Sequence, residues 1–403
     1  MAHPLNRARF DMEKKRVIRG YGILQPRVDA SLAGSNRSLH ARIYSGKSGI
    51  DPYTRAVSDV YQDIFGEGSY IGKGIYDLDA FETTLAGRFP DNKVLSHDLL
   101  EGCYARSGLL SDVSLYEDYP SAYLTDAARR HRWVRGDWQI VNWIFPRVPG
   151  PDGQLHKNAL SLLSRWKIFD NLRRSLVPAA LIALLFLGWI LLPSSWQWTA
   201  LVVGLMFLSS LLESVLSMFH KPRDVPFRHH IAERIGEIPG HFAQTGGFLL
   251  YLPVETASNM DAVFRSSWRM VASQKRLLQW NIAASSDRFT HASLKETMTA
   301  MWAGPLAAAF GVTSFTIWGS GLTANVILAG LICALWFFSP LIAWWCSRPL
   351  KRHQEKLTPT QTAFLFRIAR KTWFFFETFV SAESNWLPPD NYQEVPSGRV
   401  ACR

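Results

Sequence analysis

The chain reads as an α/β globular segment that runs into a mostly α-helical membrane region, and three observations carry that expectation. Residues 1–160 are polar and charged, with β-forming and helical stretches interspersed. Four later stretches are long and apolar enough to cross a bilayer. Lys and Arg crowd the connections on one side of those stretches. The mean hydropathy of −0.02 averages two unlike halves and describes neither.

Within the soluble segment, Val17 to Val28 (VIRGYGILQPRV) is rich in β-formers, and Pro26, with no N–H for a ladder, predicts an edge or strand-end position. Residues 31–50, rich in Ser, Gly, Asn and Arg, predict a loop. Ala56, Val60 and Ile64 recur at four-residue spacing and predict a helix over 52–65. Further helices are expected over Asp77–Leu85, over Asp98–Ser107 and within Pro120–Trp143. One strand pair with several helices is a poor complete core, so residues 1–160 read as part of a domain.

Leu162, Leu163, Trp166 and Phe169 share a face amid Arg165, Lys167 and Arg173, which predicts an interfacial helix over 161–174. The first two spans fall in 175–219, as Leu176–Leu192 and Trp198–Phe219, the second carrying the single charge of Glu213 near its end. The connection 220–299 holds another amphipathic face, Phe264, Trp268, Val271 and Leu278. Spans three and four fill 300–346, as Met301–Trp318 and Asn325–Cys346. The tail 347–403 repeats the amphipathic pattern with Phe364, Ile368, Phe375 and Phe379 beside Arg367 and Arg370. Basic flanks with Trp and Phe suit helices lying in the membrane interface, and packing against the globular segment is the competing reading.

The connections 193–197 and 319–323 hold no Lys or Arg, whereas Lys221–Lys295 holds ten and Arg348–Lys371 holds seven. That asymmetry predicts a multi-pass protein with both termini and the middle connection in the cytoplasm. The net charge of +11 then faces anionic lipid, and a nucleic-acid partner is not expected. Cys103, Cys333, Cys346 and Cys402 show no C-x-x-C spacing, so neither a disulfide framework nor a zinc site is expected.

Three motifs carry chemistry. In FGEGSYIGKG, Gly66, Gly68, Gly72 and Gly74 give a flexible turn that could let a sugar approach the backbone; the spacing is not that of a Walker loop. In HDLLEG, Asp98 and Glu101 are three apart, so a helix puts both carboxylates on one side. Such a carboxylate can take the proton from an attacking hydroxyl, although acidic residues opening a helix also simply complement its dipole. In RRHRW, Arg129, Arg132 and Trp133 fall at i, i+3 and i+4, two guanidiniums for a diphosphate and an indole for a sugar face. A solvated surface cluster is the plainer alternative. Asp77-Leu78-Asp79 looks like a metal-binding D-x-D, but its place in a helical stretch favours a helix start, and no metal site is expected among these residues.

In that order, ahead of membrane spans, these motifs resemble family-2-like processive glycosyltransferases, with RRHRW similar to Q-x-x-R-W except that Arg129 stands for the usual Gln. HPLNRARFD, GYGILQPRV, FGEGSYIGKGIYDLDAFE, LSHDLLEG, HRWVRGDWQ and FFETFVSAESNWLPPDNYQE further resemble cyclic β-1,2-glucan synthase along nearly the whole chain. The resemblance implies the acceptor-side half of a GT-A-like domain, inverting glucose transfer from UDP-glucose to a growing β-1,2-glucan, and a bacterial inner membrane. It implies Asp98 as general base with Glu101 beside it. Gly68 and Ser69 would touch the acceptor, and Arg129, Arg132 and Trp133 would face diphosphate and acceptor. It also implies a divalent cation, Mg or Mn, whose D-x-D ligands lie upstream of HPLN, and a phosphorylase-like domain downstream of NYQE. The chain is thus expected to be an internal fragment, inactive alone. A linear-polysaccharide synthase of the cellulose or hyaluronan kind and a non-catalytic membrane subunit are the alternatives.

Overall fold

The computed structural model describes residues 3–45, 54–55, 58–95, 97–219, 221, 225–279, 292–318, 323–350, 357–395 and 398–401. It divides into two units, residues 1–350 and 351–403. Cys402, and parts of the expected helix 52–65 and of the connection 220–299, fall outside the described residues.

In the first unit, β1 (Arg9–Asp11) and β2 (Arg16–Arg19) form a hairpin, and β3 (Ile23–Ala30) begins a separate sheet. The loop expected over 31–50 instead holds α1 (Leu32–Ser35) and α2 (Leu39–Tyr44). Ser31 and Ser38, which read as loop residues, are their N-caps, accepting from the amides of Gly34 and Ala41. The helix expected over 52–65 is shorter. Residues 54–55 (β4) and 58–59 (β5) pair antiparallel, and α3 covers only Val60–Phe65.

Next come β6 (Ile75–Tyr76), α4 (Leu78–Leu85), α5 (Asp98–Ala105), β7 (Ser107–Glu117) and α6 (Tyr123–Gln139). Asp77 caps α4 through the amide of Ala80, which is what an acidic residue at that place does without a metal. The sheet order is β6-β3-β7, with β3 antiparallel to β6 and parallel to β7. Pro26 therefore lies in the central strand and not at an edge. It is tolerated because β6 pairs only with Ile23 and Leu24, and because the β3–β7 register shifts between Pro26 and Arg27. After a 3₁₀ turn, Val141–Ile144, a short hairpin of β8 (Arg147–Pro149) and β9 (Leu155–Lys157) leads into the helices.

α7 (Leu162–Leu191) is a single 30-residue helix: the expected interfacial helix and the first span are continuous. At about 45 Å it outreaches a ~30 Å hydrocarbon core, so its first third stands on the side of the soluble segment. α8 (Ser195–Phe219) is the second apolar helix. The 42-residue α9 (Phe227–Trp268) follows, ending in a π-turn at Arg269–Ser273. α10 (Leu294–Ala300) and α11 (Ala303–Trp318) form a pair bent by 60°, and α12 (Thr323–Cys346) is the last apolar helix of this unit. Among the described residues, three helices are long and apolar enough to cross a membrane, or four if the bent pair counts as one span.

The helical core joins Leu185 and Trp189 of α7, Val202 of α8, Leu249 and Leu252 of α9, and Trp336 of α12. α9 is thus packed into the bundle through its middle, where an interfacial connection had been expected. Two of its contacts are polar zippers to α8: Ser210 with Thr245 at 2.6 Å and Ser214 with His241 at 3.2 Å. Asn325 fixes one end of the bundle, accepting from the Trp196 amide and donating to the Pro193 carbonyl. At the other end, the Tyr123 amide donates to the Ser347 hydroxyl and ties α6 to the end of α12.

The second unit, described by itself, consists of α13 (Pro359–Phe379), a 3₁₀ turn at Ala382–Ser384 and a hairpin of β10 (Asn391–Gln393) and β11 (Arg399–Ala401).

Candidate functional site

The glycine loop follows α3. Gly66, at φ +69, ends that helix in the left-handed conformation that glycine adopts without strain. Gly68 is then held from two sides. Its amide donates to the Ser107 carbonyl at 2.8 Å, and its carbonyl accepts from the Ser107 hydroxyl at 2.9 Å and from Lys167 Nζ at 2.8 Å. Lys167 is 3% exposed and also pairs with Glu67 Oε1 at 3.3 Å. A lysine expected among lipid headgroups is instead the anchor by which α7 grips the glycine loop.

The loop then crosses α5. A Cβ at Gly102 would come within 2.6 Å of the Tyr70 Cβ, so only glycine allows this approach. Gly72, at φ +87, lies so close to Asp98 that a Cβ there would meet the carboxylate at 2.9–3.0 Å. Ser69 is buried within this packing. Gly68, Ser69, Asp98 and Glu101 are therefore gathered around one loop, and Asp98 and Glu101 share the first turn of α5.

Burial, and then the neighbouring Asp98 charge, push the Glu101 carboxyl above its ordinary range, while His97 opposes this from 3.8 Å. Tyr70 is pushed up to about 12 by burial and by the two carboxylates, so its phenol stays neutral beside them. Neither Tyr70 nor Lys167 was singled out in the motifs. For Tyr70 the signal was adjacency, since it follows Gly68-Ser69; for Lys167, set among Ser164, Asp170 and Asn171, the sequence carried none.

Arg129, Arg132 and Trp133 form a second group on α6. Asp126, fully buried, accepts from Arg129 at 2.8 Å, and the Arg129 guanidinium lies 4.8 Å from the Trp133 ring and 5.1 Å from that of Tyr119. Arg129 thus orients the indole, a contact available to a flat guanidinium. Burial and the nearby Arg129 lower the Arg132 guanidinium from its ordinary value, as expected where two cations share a face that would favour an anion. Trp133 is 46% exposed and presents a ring to solvent.

The intervening residues of the motif face α9. Arg130 pairs with Asp126 and Glu255, Tyr123 donates to Glu255 at 2.7 Å, and His131 meets Asp261 at 2.8 Å. Although burial opposes its charge, Glu255 and Asp126 hold the Arg130 guanidinium well above its ordinary range. Among the described residues no group of three or more His, Cys, Asp or Glu side chains is placed to hold a metal ion.

No protein-family model matches the chain. The cyclic β-(1,2)-glucan synthase NdvB of Rhizobium meliloti (strain 1021) is 40% identical over 407 aligned residues, which cover 100% of this chain and 14% of that protein. The chain is related to a segment of that synthase. The likeness to NdvB takes in the glycine loop, the acid pair, the Arg-Trp helix and the apolar helices together. The chain spans about one seventh of NdvB's length, 14%, so the activity of the whole synthase enters only as a proposal.

Proposed function

We propose that this stretch supplies the acceptor side of a membrane-embedded, inverting glucosyltransferase that builds cyclic β-1,2-glucan from UDP-glucose in a bacterial inner membrane. The observation that carries the reading is the whole-length likeness to NdvB combined with a carboxylate pair pressed against a glycine loop. The parallel β3–β7 pair, with α5 leading into β7, suits one half of a GT-A-like sheet.

In this reading Gly68 and Ser69 border the acceptor sugar. Asp98 takes the proton from its hydroxyl as that oxygen attacks the anomeric carbon, and the bond from that carbon to the diphosphate oxygen breaks with inversion. Arg132, with Arg129 behind it, attracts the departing diphosphate, and Trp133 offers a face to the sugar. Glu101, with its raised pKa, adds less negative charge next to Asp98 than a free carboxylate would. The remaining parts, the donor side with its Mg or Mn ligands and a phosphorylase-like domain, are assigned to other regions of a longer polypeptide. The 403 residues alone would then form no glucan.

The test is glucose incorporation from labelled UDP-glucose by membranes carrying the longer synthase that contains this stretch. Asp98→Asn is expected to lower the rate by at least about 100-fold, the usual contribution of a general base. Full activity in that variant would sink the assignment. Linkage analysis of the product separates the β-1,2 reading from a linear-polymer synthase.

A further inference from the structure

We propose that α13 lies in the plane of the membrane surface, its aromatic face in the acyl boundary and its basic face against anionic phospholipid headgroups. This inference does not rest on the catalytic reading. At 100° per residue, Phe364, Leu365, Ile368, Trp373, Phe375 and Phe379 fall within an arc of about 180°, and Arg367, Arg370, Lys371 and Glu377 lie in the remainder, with Phe366 and Phe374 among them. No residue of the helix is buried, and Phe364 and Trp373 of this face are 52% and 59% exposed. So large an apolar face left open calls for a cover.

Three observations favour a bilayer as that cover. The helix is specified locally, by the Thr358–Gln361 capping box and Pro359 in its first turn, so it needs no packing partner to form. Twelve residues separate Cys346, the end of an apolar span, from Pro359, and a chain of that length reaches at most about 40 Å, which keeps α13 within reach of the membrane surface. The polar face carries three cations against one carboxylate, Glu377, which is itself paired with Arg370 at 2.7 Å, and a net positive face complements anionic headgroups. At 21 residues the helix is long enough to span, but spanning would carry Arg367, Arg370 and Lys371 through the hydrocarbon, whereas lying flat keeps them in water.

The test uses the full chain with its native cysteines replaced, reconstituted in phosphatidylcholine vesicles with or without phosphatidylglycerol. One environment-sensitive fluorophore is placed through Leu365→Cys or through Thr378→Cys, on opposite faces of the helix. In anionic vesicles the Leu365→Cys label should be quenched several-fold more by lipid-borne nitroxides than by aqueous iodide, with the Thr378→Cys label showing the reverse. Replacing Arg367, Arg370 and Lys371 by Gln should bring the Leu365→Cys signal down to its value in phosphatidylcholine alone. Iodide quenching of both labels, or shielding of the Leu365→Cys label from both quenchers as a second copy of the chain would produce, overturns the proposal. Equal nitroxide quenching in both lipid mixtures overturns its anionic clause.

Discussion

Glu101 is where residue chemistry and stability meet. Its carboxyl is raised above the ordinary glutamate value by burial and by Asp98. A group with a raised folded-state pKa stabilises the fold below its unfolded pKa and loses that contribution as pH rises through the folded value. At neutral pH the ionised Glu101 is therefore a cost, and Glu101→Gln should stabilise the chain at pH 7, with the gain fading as pH falls into the ordinary carboxylate range. Thermal unfolding in detergent at the two pH values checks this; an equal gain at both would mean that charge is not the cause. The placement of Asp98 and Glu101 on one helix turn was legible in the sequence because i and i+3 share a side of any helix. The role of Lys167 was not. A lysine beside Trp166 and Phe169 reads as a headgroup contact, and only the fold shows the Gly68 carbonyl waiting for it. Arg129 likewise read as a Gln substitute, yet it is committed to Asp126 and the Trp133 ring.

Proline positions show the same limit among the elements. Pro253 lies inside α9 and has no N–H to give the Leu249 carbonyl one turn earlier, and Trp336 Nε1 of α12 donates to that carbonyl at 3.0 Å. In α12 itself, Pro340 frees the Trp336 carbonyl, which accepts from the Ser339 hydroxyl at 2.8 Å. Both broken rungs are thus repaired within a buried core. Trp336→Phe leaves the Leu249 carbonyl unsatisfied and should cost about 1–3 kcal/mol. Adding Pro253→Ala returns an N–H to α9 and should recover part of that loss, measured as a double-mutant cycle on thermal unfolding. Additivity of the two changes would show that the indole is not the substitute donor. Sequence patterning found every long apolar helix, because eighteen apolar residues have few other uses. It did not show that the middle of α9 packs into the bundle, because His241, Gln244, Glu255 and Asn259 find partners distant in sequence: Ser214, Ile43, Tyr123 and Ser175. Pro26 was misplaced at an edge for a related reason, since the shortness of β6 is what opens the side of β3 that proline requires.

Across the first unit, α9 is the element on which the parts meet. It holds the Arg-Trp helix through Arg130–Glu255 and His131–Asp261, takes the Gln244 contact to α2, and joins the core of the apolar helices at Leu249 and Leu252. The two ends of the bundle differ in kind. At one, Asn325 ties together the uncharged turn between α7 and α8 and the start of α12; at the other, Ser347 meets α6 and the basic connections begin. We propose that the basic end faces the cytoplasm, the direction that the distribution of Lys and Arg favours. A cysteine placed at Ser194, exposed in the uncharged turn, should react with a membrane-impermeant maleimide from outside intact cells. One placed at Gln274, exposed after α9, should react only in inverted vesicles. Labelling of both from the same side would mean an even number of crossings between them, so that either α8 or the α9 region would have to be assigned differently. The opposite pattern would invert the whole bundle and place the acid pair, the glycine loop and Trp133 outside the cell, where no nucleotide sugar is made; the catalytic reading of Asp98 would fall with it.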